Sequence, residues 1–178
     1  MPEAKIDAML SPGYLDGLAG LPMSEIRARR AAANEVETGL SYLRRLVQGR
    51  LDIVAAERQR RDAGGAPLDV ETLVERLPSI LGEHVHAPGP GRLPTLLAPG
   101  ELDPQLAGRL DEILPANRLA ALAELDDAEL AAALAELDVY ERSVSGKRRA
   151  LHEVLDGLQE EIVRRYRTGE ATVDSLIP

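Results

Sequence analysis

No cysteine, phenylalanine or tryptophan occurs among the 178 residues, and tyrosine occurs only four times. Without cysteine there is no disulfide framework, thiolate metal site or thiol redox chemistry, which suits a reducing compartment. With so few aromatics, the apolar 44 % of the chain is carried almost entirely by Leu, Ala, Val and Ile set among Glu and Arg. That composition packs helices and predicts an all-α chain. Long apolar runs are missing as well, none approaching the ~18 residues that cross a bilayer. The first residues carry no basic lead before an apolar core, so neither secretion nor membrane insertion is expected, and the location expected is cytoplasmic.

Catalytic equipment is also lacking. No nucleophile stands beside a plausible base, and Gly89-Pro90-Gly91 has neither the preceding strand nor the Lys and Ser/Thr of a nucleotide loop. An enzyme is not expected. His84 and His86 lie in a Pro/Gly-rich stretch without a third ligand of the right kind, so no metal site is expected either.

What is present is charge, unevenly placed. The net charge of −9 argues against a general nucleic-acid binder. Residues 26–61 nevertheless hold nine Arg against four acids, whereas 62–139 hold four Arg against fifteen acids. Residues 140–178 are balanced at seven and seven, with a basic cluster at Lys147, Arg148 and Arg149.

Breakers divide the chain. Pro12, Gly13, Gly17, Gly20 and Pro22 make residues 1–23 a loose N-terminal arm anchored by leucines. Ser24 is a candidate N-cap for a first long helix over 24–63. Along it Val36, Leu40, Leu43, Val47, Leu51 and Val54 recur at helical spacing until Gly64-Gly65. Residues 64–126 form a connecting segment. It contains a short helix after Asp69 that ends at Pro78, a linker over 84–94, a helix from Asp103-Pro104 to near Pro115, and a further short helix over 116–125. Asp126 or Asp127 caps a second long helix over 127–169, with Leu130, Leu134, Leu137, Tyr140, Val144, Leu151, Leu155, Leu158 and Ile162 along it; residues 170–178 form a tail. Each long helix needs an extended partner for its apolar stripe, and the simplest partner is the other one.

The two long helices share a pattern. Glu37, Ser41, Arg44, Gln48 and Asp52 align without gaps on Glu141, Ser145, Arg148, His152 and Asp156, at an offset of 104. Four of the five positions are identical, and Arg45/Arg149, Leu51/Leu155, Glu57/Glu161, Arg60/Arg164 and Arg61/Arg165 agree too. Four identities at one preset register arise by chance about once in ten thousand trials or less, given typical residue frequencies. At about 100° per residue, the five positions fall within an arc of about 80° that borders the apolar seam. Such a stripe on one helix is ordinarily a solvated, salt-bridged face. Duplicated in register, it reads as a shared site with approximate two-fold symmetry.

The residue types describe a ligand. Arg offers a planar fork to guanine O6 and N7 or to phosphate, carboxylates accept from guanine N1–H and the exocyclic amine, and Ser suits phosphate or ribose. A guanine nucleotide uses all of them. The motif E-x3-S-x2-R-x3-[Q/H]-x3-D, present twice on long helices, closely resembles the cyclic di-GMP motif of the RsiG anti-sigma factors of actinobacteria. That resemblance implies an antiparallel coiled coil of the two motif helices clasping cyclic di-GMP, two nucleotides per chain. It implies a monomer that sequesters a WhiG-type sporulation sigma factor 1:1 when nucleotide is bound, with no direct DNA contact and no membrane. Carried over, Glu37, Ser41, Arg44, Gln48 and Asp52 bind one part of the nucleotide, and Glu141, Ser145, Arg148, His152 and Asp156 the other. His152, in place of Gln, is the departure. The acidic stretch, with Asp126, Asp127, Glu129 and Glu136, offers a second surface to a basic partner. The alternative is a coiled-coil adaptor that binds proteins without nucleotide.

Overall fold

The computed structural model describes residues 3–65 and 104–171, with 74, 75, 77, 78 and 80 between them. In chain order the helices are α1 (Glu3–Met9), α2 (Met23–Asp62), α3 (Pro104–Ile113), α4 (Ala116–Ala120) and α5 (Asp127–Thr168). Single 3-10 turns, Leu18–Gly20 and Leu122–Glu124, stand just ahead of α2 and α5. The described residues contain no strand. At 40 and 42 residues, α2 and α5 are each about 60 Å long.

The ends of these helices are chemically marked. The N-cap of α2 is Pro22 rather than Ser24: it holds extended backbone at φ −65° and ψ 151°, and its carbonyl accepts from the N–H groups of Glu25 and Ile26. A proline has no N–H to leave orphaned there, so Ser24 is absorbed into the first turn. α2 stops where glycine allows it. Gly64 is left-handed at φ +75°, its N–H reaching the Arg61 carbonyl and that of Gly65 the Arg60 carbonyl, the paired bonds of a Schellman ending. α5 starts in a capping box between Asp126 and Glu129 and ends at left-handed Gly169.

The short helix expected after Asp69 falls largely outside the described residues, as do the linker 84–94 with His84 and His86, Asp103, and 172–178 of the tail. Positions 74, 75, 77, 78 and 80 are helical, so Pro78 lies within helical backbone rather than ending it. Its fixed φ is itself helical, and the cost is the bond to the residue four before.

The long helices run antiparallel. Arg27 meets Tyr166, Glu37 meets His152, Arg44 meets Glu141, and Arg61 meets Asp127, so one number falls as the other rises. Between them lies the seam: Ile26, Ala33, Val36, Leu40, Leu43, Val47 and Val54 from α2, against Leu130, Leu137, Tyr140, Val144, Leu151, Val154, Leu158 and Ile162 from α5. Leu51, Leu134 and Leu155, expected in the seam, are only partly buried at its flanks, while Ala133 and Val154 are buried. No helix among the described residues is long and apolar enough to cross a membrane.

Residues 3–20 are not a loose arm. α1 buries Ile6 and Met9, the turn at 18–20 buries Leu18, and Arg29 lies 5.5 Å over the Tyr14 ring while donating to the Tyr14 carbonyl. The offset of 104 extends into this region. The second 3-10 turn begins 104 residues after the first, and α5 begins 104 residues after α2. Leu10/Leu114, Leu15/Leu119, Leu18/Leu122, Ala19/Ala123 and Leu21/Leu125 are identical pairs at that spacing. Each half therefore runs from a short helix through a 3-10 turn into a long helix, with α4 as an extra short helix in the second half.

Matching clamps tie the halves together. Glu57, fully buried, accepts from Arg60 (2.9 and 2.6 Å) and from Arg61 Nε (2.6 Å). Arg61 then donates to the carbonyls of Leu125 (2.8 Å) and Leu122 (2.9 Å), gripping the turn that starts α5. In the other half Glu161 holds Arg164 and Arg165 in the same way, and Arg165 donates to the carbonyls of Leu18 (2.7 Å) and Ala19 (3.2 Å). Each long helix thus grips the start of the other near its own end.

Glu57→Gln leaves Arg60 and Arg61 short of their shared counter-charge in a buried place, and is expected to cost about 3 kcal/mol in urea unfolding at neutral pH. A loss under about 1 kcal/mol would show the clamp to be dispensable. Hydrogen bonds from Arg164 and Arg165 hold the Glu161 carboxyl down from 4.5 to about 2. Because the folded value lies below the ordinary one, its contribution is complete above about pH 4.5 and is lost as pH falls towards 2. Over that window wild-type stability should fall more steeply than that of Glu161→Gln.

Candidate functional site

The two polar stripes meet along one side of the α2/α5 seam. Glu37 and Ser41 stand one turn apart on α2, and the Ser41 hydroxyl donates to Glu37 Oε1 at 2.7 Å. The counterparts on α5 repeat this, with Ser145 donating to Glu141 Oε1 at 2.8 Å. Both glutamate side chains are 18 % exposed. Each long helix therefore carries an equivalent serine–carboxylate couple, as the i,i+4 spacing of the motif allows on a helix.

Arginine joins the helices on one side only. Arg44 Nε donates to Glu141 Oε1 at 3.1 Å and lies 3.0 Å from Ser145 Oγ, so α2 is tied directly into the α5 couple. At the mirrored place Glu37 Oε1 meets His152 Nε2, at 3.3 Å. Arg148, the counterpart of Arg44, is half-buried and forms no hydrogen bond or ion pair among the described residues. Gln48 is half-buried, likewise without a described bond, and Asp156 is exposed. Asp52 is half-buried and engaged. Six of the ten candidate residues, Glu37, Ser41, Arg44, Glu141, Ser145 and His152, thus form two linked polar clusters, while Gln48, Asp52, Arg148 and Asp156 continue the stripes beyond them. Arg45 and Arg149, one residue past the motif arginines, are exposed and keep the surroundings positive.

This arrangement offers an anion or a guanine edge two carboxylates, two hydroxyls and two guanidiniums on a two-fold pattern. The Glu37 and Glu141 carboxylates each accept from a neighbouring serine. Helix glycines have varied causes. A Cβ on Gly157 would lie 2.8 Å from a Leu15 methyl, so that glycine makes room for the N-terminal region, whereas Gly39 and Gly146, beside the stripes, face open space.

The acidic residues that sequence reading offered to a partner are mostly engaged. Asp126 caps α5, Asp127 pairs with Arg61, and Glu129 closes the capping box and pairs with Arg118. The Asp126 backbone N–H and the Arg118 guanidinium hold the Glu129 carboxyl below its ordinary range. Glu136 alone of the four is exposed with no described partner. The clamps and α1, with the extension of the repeat into the N-terminal region, were the features sequence reading missed. Their signal was present in the shared offset, at Leu18/Leu122 and Glu57/Glu161.

A double-mutant cycle on Arg44 and Glu141 is expected to give a coupling of about 0.5–1 kcal/mol, because the Arg44 side chain is 32 % exposed. Variants at Arg44 should therefore stay folded, and a coupling above about 3 kcal/mol would show the pair to be a structural keystone.

A family model described as RsiG-like matches residues 12–81 and 116–178. The two matched segments contain both stripes and both clamps. No curated protein matches the chain.

Proposed function

Starting from the premise that this chain belongs to the RsiG-like family, a family of anti-sigma regulators, we propose that it binds cyclic di-GMP between α2 and α5 and, so loaded, sequesters a WhiG-type sigma factor. One observation carries the nucleotide reading: two copies of one polar motif face each other across an antiparallel pair, each presenting a serine–carboxylate couple and an arginine. A ligand with two guanines and two phosphates has the matching symmetry and donor pattern. Glu37 and Glu141 would take guanine N–H groups, Arg44 and Arg148 guanine O6/N7 or phosphate, and Ser41 and Ser145 phosphate or ribose. Gln48, His152, Asp52 and Asp156 extend each half-site by one and two turns.

A nucleotide bridging α2 and α5 would tighten their pairing and add its own charge to the surface, and both effects distinguish loaded from empty protein for a partner. Of Asp126, Asp127, Glu129 and Glu136, Glu136 is free to serve a basic sigma surface without disturbing a cap or clamp.

Titration calorimetry of the full chain with cyclic di-GMP, with cyclic di-AMP and GTP as controls, tests this. Guanine-selective binding near two nucleotides per chain is expected, weakened at least about 100-fold in Arg44→Ala and Arg148→Ala together. Pulldown of a WhiG-type sigma factor should then require nucleotide. Absence of binding by folded protein, with and without sigma factor, would reject the nucleotide and leave a protein-binding coiled-coil adaptor.

A further inference from the structure

The antiparallel pairing and the shared offset define what each residue should do if the halves were equivalent. Arg44 corresponds to Arg148, Glu141 to Glu37, Ser145 to Ser41, and Gln48 to His152. Arg44 reaches Glu141 and Ser145. By the same symmetry Arg148 would reach Glu37 and Ser41, and it does not.

The two copies of the motif differ at one position, Gln48 against His152. Gln48 makes no described bond, so Glu141 remains available to Arg44. His152 instead places Nε2 3.3 Å from the same Glu37 oxygen that already accepts from Ser41. That oxygen is the equivalent of the one on Glu141 that Arg44 engages. With the His152 ring standing beside Glu37, Arg148 is half-buried without a counter-ion among the described residues, one turn from His152 on the same helix. A ligand therefore competes with existing bonds at Arg44 and with none among the described residues at Arg148.

We infer that the two halves of the site are unequal in the free protein and fill in order, Arg148 capturing the first guanine nucleotide while Arg44 stays tied to Glu141, with His152 as the residue that sets this inequality. This rests on the nucleotide reading above and adds which half loads first. The first nucleotide meets a free guanidinium. The second must replace the Arg44 bonds to Glu141 and Ser145, and so binds more weakly.

Two measurements test the order. In the free protein, arginine Nε–H resonances should show Arg44 protected from solvent exchange and Arg148 exchanging fast, and His152→Gln should protect Arg148 as Glu37 becomes available. Titration with cyclic di-GMP should show two steps at least about tenfold apart in the wild type. Arg148→Ala should weaken the first step and Arg44→Ala mainly the second, while His152→Gln should bring the steps together. Binding in a single step, or a His152→Gln isotherm identical to the wild type, overturns the inference while leaving the nucleotide reading intact. Equal exchange at Arg44 and Arg148 overturns it without reference to ligand, and no binding at all overturns both readings.

Discussion

Register between two antiparallel helices is the constraint on which everything else here depends. A seam of Leu, Val, Ile and Ala is apolar and repetitive, and apolar contact is non-directional, so sliding by a heptad would bury nearly as much surface. The polar stripes face each other at only one stagger. What fixes it is directional: Glu57 and Arg61 at the end of α2 hold the carbonyls that begin α5, and Glu161 and Arg165 at the end of α5 hold those that begin α2. A buried carboxylate–guanidinium set is an indifferent source of net stability but a strong source of uniqueness when it alone satisfies the groups concerned.

Position relative to the seam divides the labour among polar residues. Glu57 and Arg165 are buried and act through geometry. The motif residues sit at the seam's edge, where Arg44 and His152 are 32 % and 48 % exposed. Exposure at that level keeps the ion pairs weak and exchangeable, which a binding site needs. The rigid part of the protein and its adaptable part therefore lie on the same two helices, separated by a few turns.

The long helices and the stripe were legible in the sequence because both are periodic signals, and periodicity survives without knowledge of neighbours. The start of α5 was legible because Asp126 and Glu129 form a capping box in three residues. The start of α2 was not, because Pro22 caps through its backbone while Ser24 offered the more familiar side chain. Residues 3–20 read as loose because Pro12, Gly13, Gly17 and Gly20 outweigh two short apolar clusters; what orders them is contact with α2 and α5, through Ile6, Met9, Leu15 and Leu18. The stripe residues were identifiable, but the distribution of their bonds was not. Whether Glu37 faces Arg148 or His152 depends on side-chain reach across a helix pair.

That distribution bears on what a repeat within one chain can do. In a symmetric homodimer any substitution appears twice, and the two half-sites must remain alike. A chain carrying both copies is released from that rule, and this one departs from it in consistent places. Arg50 donates to the carbonyls of Leu110 and Leu114 and to Asp111, holding α3, whereas its counterpart Val154 is a seam residue. Tyr140 donates to the Leu106 carbonyl, whereas its counterpart Val36 has no polar atom to offer. His152 stands beside Glu37, whereas Gln48 makes no described bond and Glu141 is held by Arg44. The clamps keep their symmetry because register is common to both helices and a change in either would shift both stripes. These divergent groups lie outside the clamps, so the fold preserves what sets the register and leaves each half free to differ at its edge of the site.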